Sequence, residues 1–348
     1  MELPRKTIVG SRERPHLLVT GGVHGDEFEP VAAIRRLGRV LDPAELQGTV
    51  TLVPVVNGPA FARGSRTAED GLDLARTCPG RPDGSITEQI AHALSELIRS
   101  ADRYVDLHSG GVALEILPLV GYMLHEDPTV LDIQRRMARA FNLPVVWGTS
   151  AAHDGRSLSV ARDARLPAIY AEWGGGGRCN PAGVAAYVEG CLGVMAAEGM
   201  LSATEQPLHG RAGVPRASCP CTGETPVAPG RANLSRSRFD RRPRPRVLEH
   251  VVEDDRPGSG HLQACYPSPM AGVFEPAVRL GEEVRVGDAI GQVSDALGER
   301  SATIESTEGG IVLCLRSLAR VSEGDSLAVV LEIDASAPDS PEWASGEC

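Results

Sequence analysis

Lysine is all but absent: Lys6 is the sole one among 348 residues, and apart from histidine every other basic residue is arginine. A lysine-borne covalent attachment is therefore excluded beyond residue 6. Positive charge elsewhere takes the form of planar guanidinium groups suited to carboxylates. No run of eighteen apolar residues occurs, so no membrane span is expected. The start, Met1-Glu2-Leu3-Pro4-Arg5-Lys6, lacks the apolar core of a secretory signal. Eight cysteines, at 78, 179, 191, 219, 221, 265, 314 and 348, are too sparse for a disulfide scaffold. Cys219 and Cys221 are the single close pair, without a second pair at zinc-finger spacing. A reduced, cytoplasmic setting is expected. Basic excess is missing too: a net charge of −11 argues against general nucleic-acid binding.

What is present is ordinary for a soluble globular chain, with 42% hydrophobic and 23% charged residues. The length suffices for one sizeable core and a smaller second domain. Leu17 to Thr20 reads as a buried strand and Phe28 to Leu37 as a helix with Val31, Ala32, Ala33 and Ile34 on its apolar stripe. Thr49 to Val56 is a second strand, ended by the turn signal Asn57-Gly58-Pro59. Residues 60–84 have no clear period and read as a long functional loop. Ser85-Ile86-Thr87-Glu88 is a capping box opening a helix with Ile86, Ile90, Leu94, Leu97 and Ile98 on one face. Strands follow at Tyr104 to His108, Ile116 to Leu124, Val145 to Trp147 and Ala168 to Glu172. Helical spans are read at Thr129 to Phe141, Leu158 to Arg165 and Pro181 to Ala197.

This alternation predicts an α/β fold over residues 1–200, a mixed but mostly parallel sheet flanked by helices. Residues 201–260 are rich in Pro, Gly, Ser and Arg and read as a linker with irregular structure. Its run Arg241-Arg242-Pro243-Arg244-Pro245-Arg246 is basic but does not by itself specify a partner. Residues 261–336 read as a small all-β barrel or sandwich built from two half-repeats. Gly272-Val273-Phe274 leads to Val284-Arg285-Val286-Gly287-Asp288, and Gly310-Ile311-Val312 leads to Val321-Ser322-Glu323-Gly324-Asp325. A tail, 337–348, completes the expected organisation.

The chemistry concentrates at predicted strand ends, where open α/β sheets bind ligands. His24 and Glu27 lie three residues apart on the turn Gly21-Gly22-Val23-His24-Gly25-Asp26-Glu27, and His108 ends another strand. Two imidazoles and one carboxylate match a catalytic zinc site, which keeps a fourth position open for water. Asp106 reads either as an orienter of a ligand or as an unrelated solvent-facing or capping acid. Glu172, beside a glycine run, reads as a general base or as a strand-end acid in solvent. Arg63, Arg66 and Arg76, in the long loop, are candidate donors to an oxyanion or to a substrate carboxylate.

In chain order, these residues stand among Gly22-x-His24-Gly25-Asp26-Glu27, Asn57-x-x-Ala60-Phe61-x-x-Gly64-x-Arg66, Asp70-Gly71-Leu72-Asp73-Leu74-Ala75-Arg76, Cys78-Pro79-Gly80, Asp106-Leu107-His108-Ser109-Gly110-Gly111 and Glu172-x-Gly174. The set resembles the succinylglutamate desuccinylase/aspartoacylase family, relatives of the zinc carboxypeptidases, over roughly residues 15–198. The resemblance implies one zinc ion per chain on His24, Glu27 and His108. It implies Glu172 as general base, Arg66 as oxyanion or carbonyl donor and Arg76 as carboxylate clamp; Arg63 and Asn57 are expected on the substrate side as well. Many members hold that carboxylate with an Asn-Arg pair. Here the Asn position is Ala75, which has no side-chain donor, and the family's Asn-Pro is Asn57-Gly58.

The C-terminal segment resembles the lipoyl- and biotin-carrier fold, without the lysine that carrier chemistry needs. A structural role is expected for it, in shaping the site entrance or in homo-oligomer formation. The expected activity is removal of an acyl group from a small N-acyl amino acid or related amine. The alternatives are a zinc carboxypeptidase acting on peptides and a non-catalytic metal-binding or regulatory protein on the same fold.

Overall fold

The computed structural model describes residues 2–201, 250–260, 262 and 266–333. The Arg-rich run at 241–246, the Cys219 and Cys221 pair and the 337–348 tail lie outside them.

In chain order come β1 (Lys6–Val9), β2 (His16–Thr20), α1 (Phe28–Val40), β3 (Thr49–Val53), α2 (Gly58–Arg63), α3 (Ile86–Ser100), β4 (Arg103–His108) and β5 (Leu114–Met123). Then follow α4 (Pro128–Phe141), β6 (Val145–Thr149), α5 (Ser157–Asp163), β7 (Ala168–Gly175), α6 (Pro181–Ala197) and β8 (His250–Glu253). The chain continues through β9 (Gly272–Pro276), β10 (Glu283–Val284), β11 (Ala289–Ser294), β12 (Ser301–Glu305), β13 (Gly310–Arg316), β14 (Arg320–Val321) and β15 (Ala328–Leu331).

The centre of the large sheet, β3-β2-β4-β7, is parallel, and β5 joins β7 antiparallel. The strands are apolar on both faces because helices cover both. All of β3 is buried, and Leu17, Leu18 and Val19 of β2 are fully enclosed. Helices α3 and α5 pack over Leu18, Tyr104 and Ala168, while α1, α4 and α6 form a second helical group. The capping box opens α3: Glu88 Oε2 accepts the Ser85 N–H at 2.8 Å and Ser85 Oγ accepts the Glu88 N–H at 3.5 Å. Such a cap contributes about 1 kcal/mol.

Residues 60–84 hold more structure than periodicity indicates. Asn57 caps α2 through its Oδ1, which accepts the Ala60 N–H at 3.2 Å, and Asp73 caps a single turn at Leu74–Arg76. These pieces are too short for a hydrophobic period to register, so only the caps betray them.

Within the interval read as linker, β8 adds in parallel to β6. Its Glu253 is held by Tyr122 OH at 2.6 Å and by two Arg135 nitrogens at 2.8 and 2.7 Å. The irregularity after Ile116 in β5 lets one edge take two partners: β13 at Leu114–Ile116 and β6 at Leu119–Met123. Through β13, the C-terminal strands β10 and β15 join the large sheet. The two half-repeats interlock: β10 of the first pairs with β13 of the second, and β14 of the second pairs with β9 of the first. Phe274, Ile290, Val293, Val312, Leu327 and Val330 form the core shared by the four-stranded sheet and these strands. Among the described residues, no helix is long and apolar enough to cross a membrane.

Candidate metal centre and active site

The turn after β2 is tied to the end of β3 and to the chain beyond it, with Gly21 N–H on Val53 O at 3.0 Å and Asn57 N–H on Gly22 O at 2.9 Å. Gly25 lies against α2 so closely that a Cβ there would sit 2.1 Å from the Ala60 carbonyl carbon. A side chain at 25 would push the turn off α2 and move His24. Glu27 occupies the N-cap position of α1 in extended conformation without capping it. Its carboxylate is therefore turned to other partners. Asp26 Oδ2 accepts the Val112 N–H at 3.1 Å and docks the loop that follows His108.

His24, Glu27 and His108 come together with donor atoms all within 4.8 Å of one another. His24 Nδ1 is 2.6 Å from Glu27 Oε1, and His108 Nδ1 is 3.2 Å from Oε2. His24 and Glu27 are 4% and 1% exposed. The far nitrogen of each ring meets another carboxylate: His24 Nε2 lies 3.1 Å from Asp73 Oδ1, and His108 Nε2 lies 3.1 Å from Asp106 Oδ2. Carboxylates on the outer nitrogens fix ring orientation and raise ligand basicity, the usual surroundings of metal-binding histidines. Glu27 Oε2 is buried and makes no aligned hydrogen bond. Inward-facing ring nitrogens and an unsatisfied carboxylate oxygen form a donor set that fits zinc.

Asp106 is fully buried and accepts from Thr20 Oγ1 at 2.6 Å and Ser157 Oγ at 2.5 Å. Of the two readings of Asp106, the ring-orienting one matches its position; it is neither solvent-facing nor a helix cap. Asp106→Asn is expected to weaken metal binding about 10- to 100-fold with the fold intact. Competition with a chromogenic chelator measures this, and unchanged affinity would remove Asp106 from the site.

Glu172 is the register partner of His108 across β4 and β7, so the two share a face. It is 8% exposed, and its Oε2 has no hydrogen-bond partner. Burial pushes its carboxyl up to about 8, with the His108 charge working against the rise and Glu27 adding to it. Glu27 behaves oppositely: burial would raise it, but the charges of His24 and His108 hold it down to about 2. One carboxyl of this pair is thus kept charged between two imidazoles, and the other is left poised.

Arg66 donates to Asp73 Oδ2 at 3.0 Å, so Asp73 bridges Arg66 and His24. Arg76 is on the exposed edge of the Leu74–Arg76 turn, near Asp73 and Arg66. Arg63 is exposed in the last turn of α2, and no hydrogen bond or ion pair of the described residues brings it to the cluster. Asn57 is fully buried beneath the turn as the α2 cap, its Nδ2 unpartnered.

Two further residues border the cluster. Arg156, at the entry to α5, is half-buried, and burial and the Arg76 charge push its guanidinium down to about 10. The same guanidinium feels Tyr170 and Asp73. Tyr170 lies two residues before Glu172 on β7, and its ring crosses Gly121, where a Cβ would come within 2.3 Å of it. Strand alternation puts Tyr170 on the Glu172 face, a signal present in Ala168-Ile169-Tyr170-Ala171-Glu172. No comparable local signal marks Arg156.

The family model of the succinylglutamate desuccinylase/aspartoacylase catalytic domain matches residues 13–197. The chain belongs to this family. It is 30% identical over 337 residues to an N-alpha-acetyl-L-2,4-diaminobutyric acid deacetylase of Halomonas elongata, covering 94% of this chain and 85% of that one. A Rhodobacter sphaeroides succinylglutamate desuccinylase/aspartoacylase structure is 29% identical, with TM-score 0.74 and coverage of 95% and 89%. The product-bound ectoine utilization protein EutE (DoeB) of Ruegeria pomeroyi is 26% identical, with TM-score 0.74 and coverage of 94% and 88%. As a member of a deacylase family, the chain carries the family's mixed α/β fold, with the His24–Glu27–His108 donor cluster at the strand ends as its candidate site.

Proposed function

We propose that the chain is a zinc-dependent deacylase that hydrolyses the amide of a small N-acylated amino acid. The observation that carries this reading is the buried, unpartnered Glu172 carboxyl in register with His108 beside the His24–Glu27–His108 donor set. Zinc held by those three residues would supply a positive charge and a water of lowered pKa. Glu172 accepts the proton of the attacking water and passes it to the leaving nitrogen. Arg66, fixed by Asp73, donates to the oxygen on which charge develops, a contact whose loss typically costs about 100- to 1000-fold.

Arg76 and Arg156 bind the substrate carboxylate. Two adjacent guanidiniums supply the charge and planar donors for an anion. Ala75 contributes no side-chain donor, so Arg156 takes a larger share of that work. Arg156→Met is expected to raise KM for N-acyl amino acids about 10- to 100-fold with a smaller change in kcat. Steady-state kinetics checks this, and an unchanged KM would remove Arg156 from the substrate's carboxylate.

The relative from Halomonas elongata makes N-acetylated diamino acids the first substrates to try. The test is a panel of N-acyl amino acids, N-acyl diamines and dipeptides at matched zinc content, scored for free amine. Preferential turnover of acyl amino acids supports the reading. Preference for dipeptides would make the protein a carboxypeptidase, and no turnover would end the catalytic assignment. We infer a scaffold role for the C-terminal strands, carrier-like in pattern but without an attachment lysine.

A further inference from the structure

After β8, the chain crosses the loop that carries Arg156. Asp254 N–H continues the pairing onto Gly148 O at 2.8 Å. Ser259, which is buried, then forms a joint: its Oγ donates to Asp254 O at 2.7 Å and accepts the Ser150 N–H at 2.8 Å. Its carbonyl meets the His153 ring at Nε2, and the Gly260 carbonyl accepts Arg156 Nη2 at 3.2 Å. Two consecutive residues thus grip the 150–156 loop at its start, middle and end. On its other side, Gly155 O accepts the Cys78 N–H at 2.9 Å, tying the loop to the segment of Arg76. Ser157, bonded to Asp106, anchors the start of α5 independently.

We propose that residues 254–260 form a strap whose role is to position the Arg156 guanidinium, with Ser259 as its positioning residue. This rests on the assignment of Arg156 to the substrate carboxylate. Arg156 and Arg76 repel each other, and the Asp73 charge that attracts Arg156 is a weaker influence on it than that repulsion, so without an anion little electrostatic attraction keeps Arg156 beside its neighbour. The Gly260 carbonyl holds it there, and a group held in its bound conformation loses less freedom on binding. Removing the Ser259 hydroxyl leaves the Ser150 N–H without its acceptor and the Asp254 carbonyl without its donor. This loosens the strap where it meets the start of the loop and leaves the grip to the two carbonyl contacts with His153 and Arg156. The strap is remote in sequence from the catalytic segment, yet it sets carboxylate affinity without touching the reacting atoms.

The test uses the full chain carrying Ser259→Ala. By hydrogen exchange, amides of residues 150–156 are expected to exchange about tenfold faster, with β4 and β7 unchanged. KM for an N-acyl amino acid is expected to rise about tenfold, with kcat within about twofold. KM for the matching N-acyl amine lacking the carboxylate stays as it was. Ser259→Thr, which keeps the hydroxyl, restores both readouts. In an Arg156→Met background, Ser259→Ala adds nothing further. Unchanged loop exchange, an equal KM rise for both substrates, or additivity with Arg156→Met would each overturn the proposal. If the unaltered chain hydrolyses neither substrate, the functional reading falls, and the exchange comparison still decides whether the strap holds the loop. Should Ser259→Ala not accumulate folded, Ser259→Cys, similar in volume and a poorer acceptor, carries the same readouts.

Discussion

Glu172→Gln is expected to lower kcat about 100- to 10,000-fold while zinc content and substrate affinity stay close to those of the parent chain. Gln has the size of Glu and retains a hydrogen-bonding tip, but it cannot take a proton at neutral pH. The side chain is buried on the sheet face that carries His108, and it is not among the three clustered donors. Losing its titratable carboxyl therefore removes proton transfer without removing a ligand. The carboxyl also sits well above the usual carboxylate range through burial, the environment in which a glutamate can alternate between accepting and donating. Metal analysis beside single-turnover kinetics separates the outcomes. Full activity in Glu172→Gln would assign the proton to another group, and loss of metal would make Glu172 part of the binding site.

Much of the site was legible in the sequence because its parts are local. His24 and Glu27 share one turn, Asp106 and His108 share one strand, and each falls where a predicted strand ends in glycine. The same locality made the α/β alternation and the Ser85–Glu88 capping box readable. What escaped depends on chain paths that no local pattern encodes. Arg156 reaches the site only because the loop after β6 folds back onto the segment of Arg76, held there by Cys78 and Gly155. The pairing of β13 with β5 joins Cys314 to Ile116, a contact set by the irregularity in β5 and by burial of Leu313 and Ile116 in one core. The short α2 is hidden for a different reason: six residues carry no period, and its cap residue Asn57 has the pattern of a turn.

If the proposed zinc reading holds, His108→Ala is expected to abolish metal binding and with it activity, by about 1000-fold or more, since a bound ion would supply several kcal/mol to amide hydrolysis. Two protein donors, His24 and Glu27, would remain where a stable catalytic zinc uses three. The loss reaches further than one ligand. Without His108, buried Glu27 keeps only one of the two imidazoles that hold its carboxylate charged, and Asp106 loses the ring it faces. Thermal unfolding reads the binding directly. An ion that binds the native chain at about 1000 times its Kd stabilises it by about 4 kcal/mol, several degrees in midpoint for a protein of this size. Zinc added to the chelator-treated parent is expected to produce that upward shift and to restore turnover. The same addition to His108→Ala should do neither, whereas Glu172→Gln should show the shift without the turnover. A His108→Ala variant that still shifts and still turns over would dismantle the three-residue metal site.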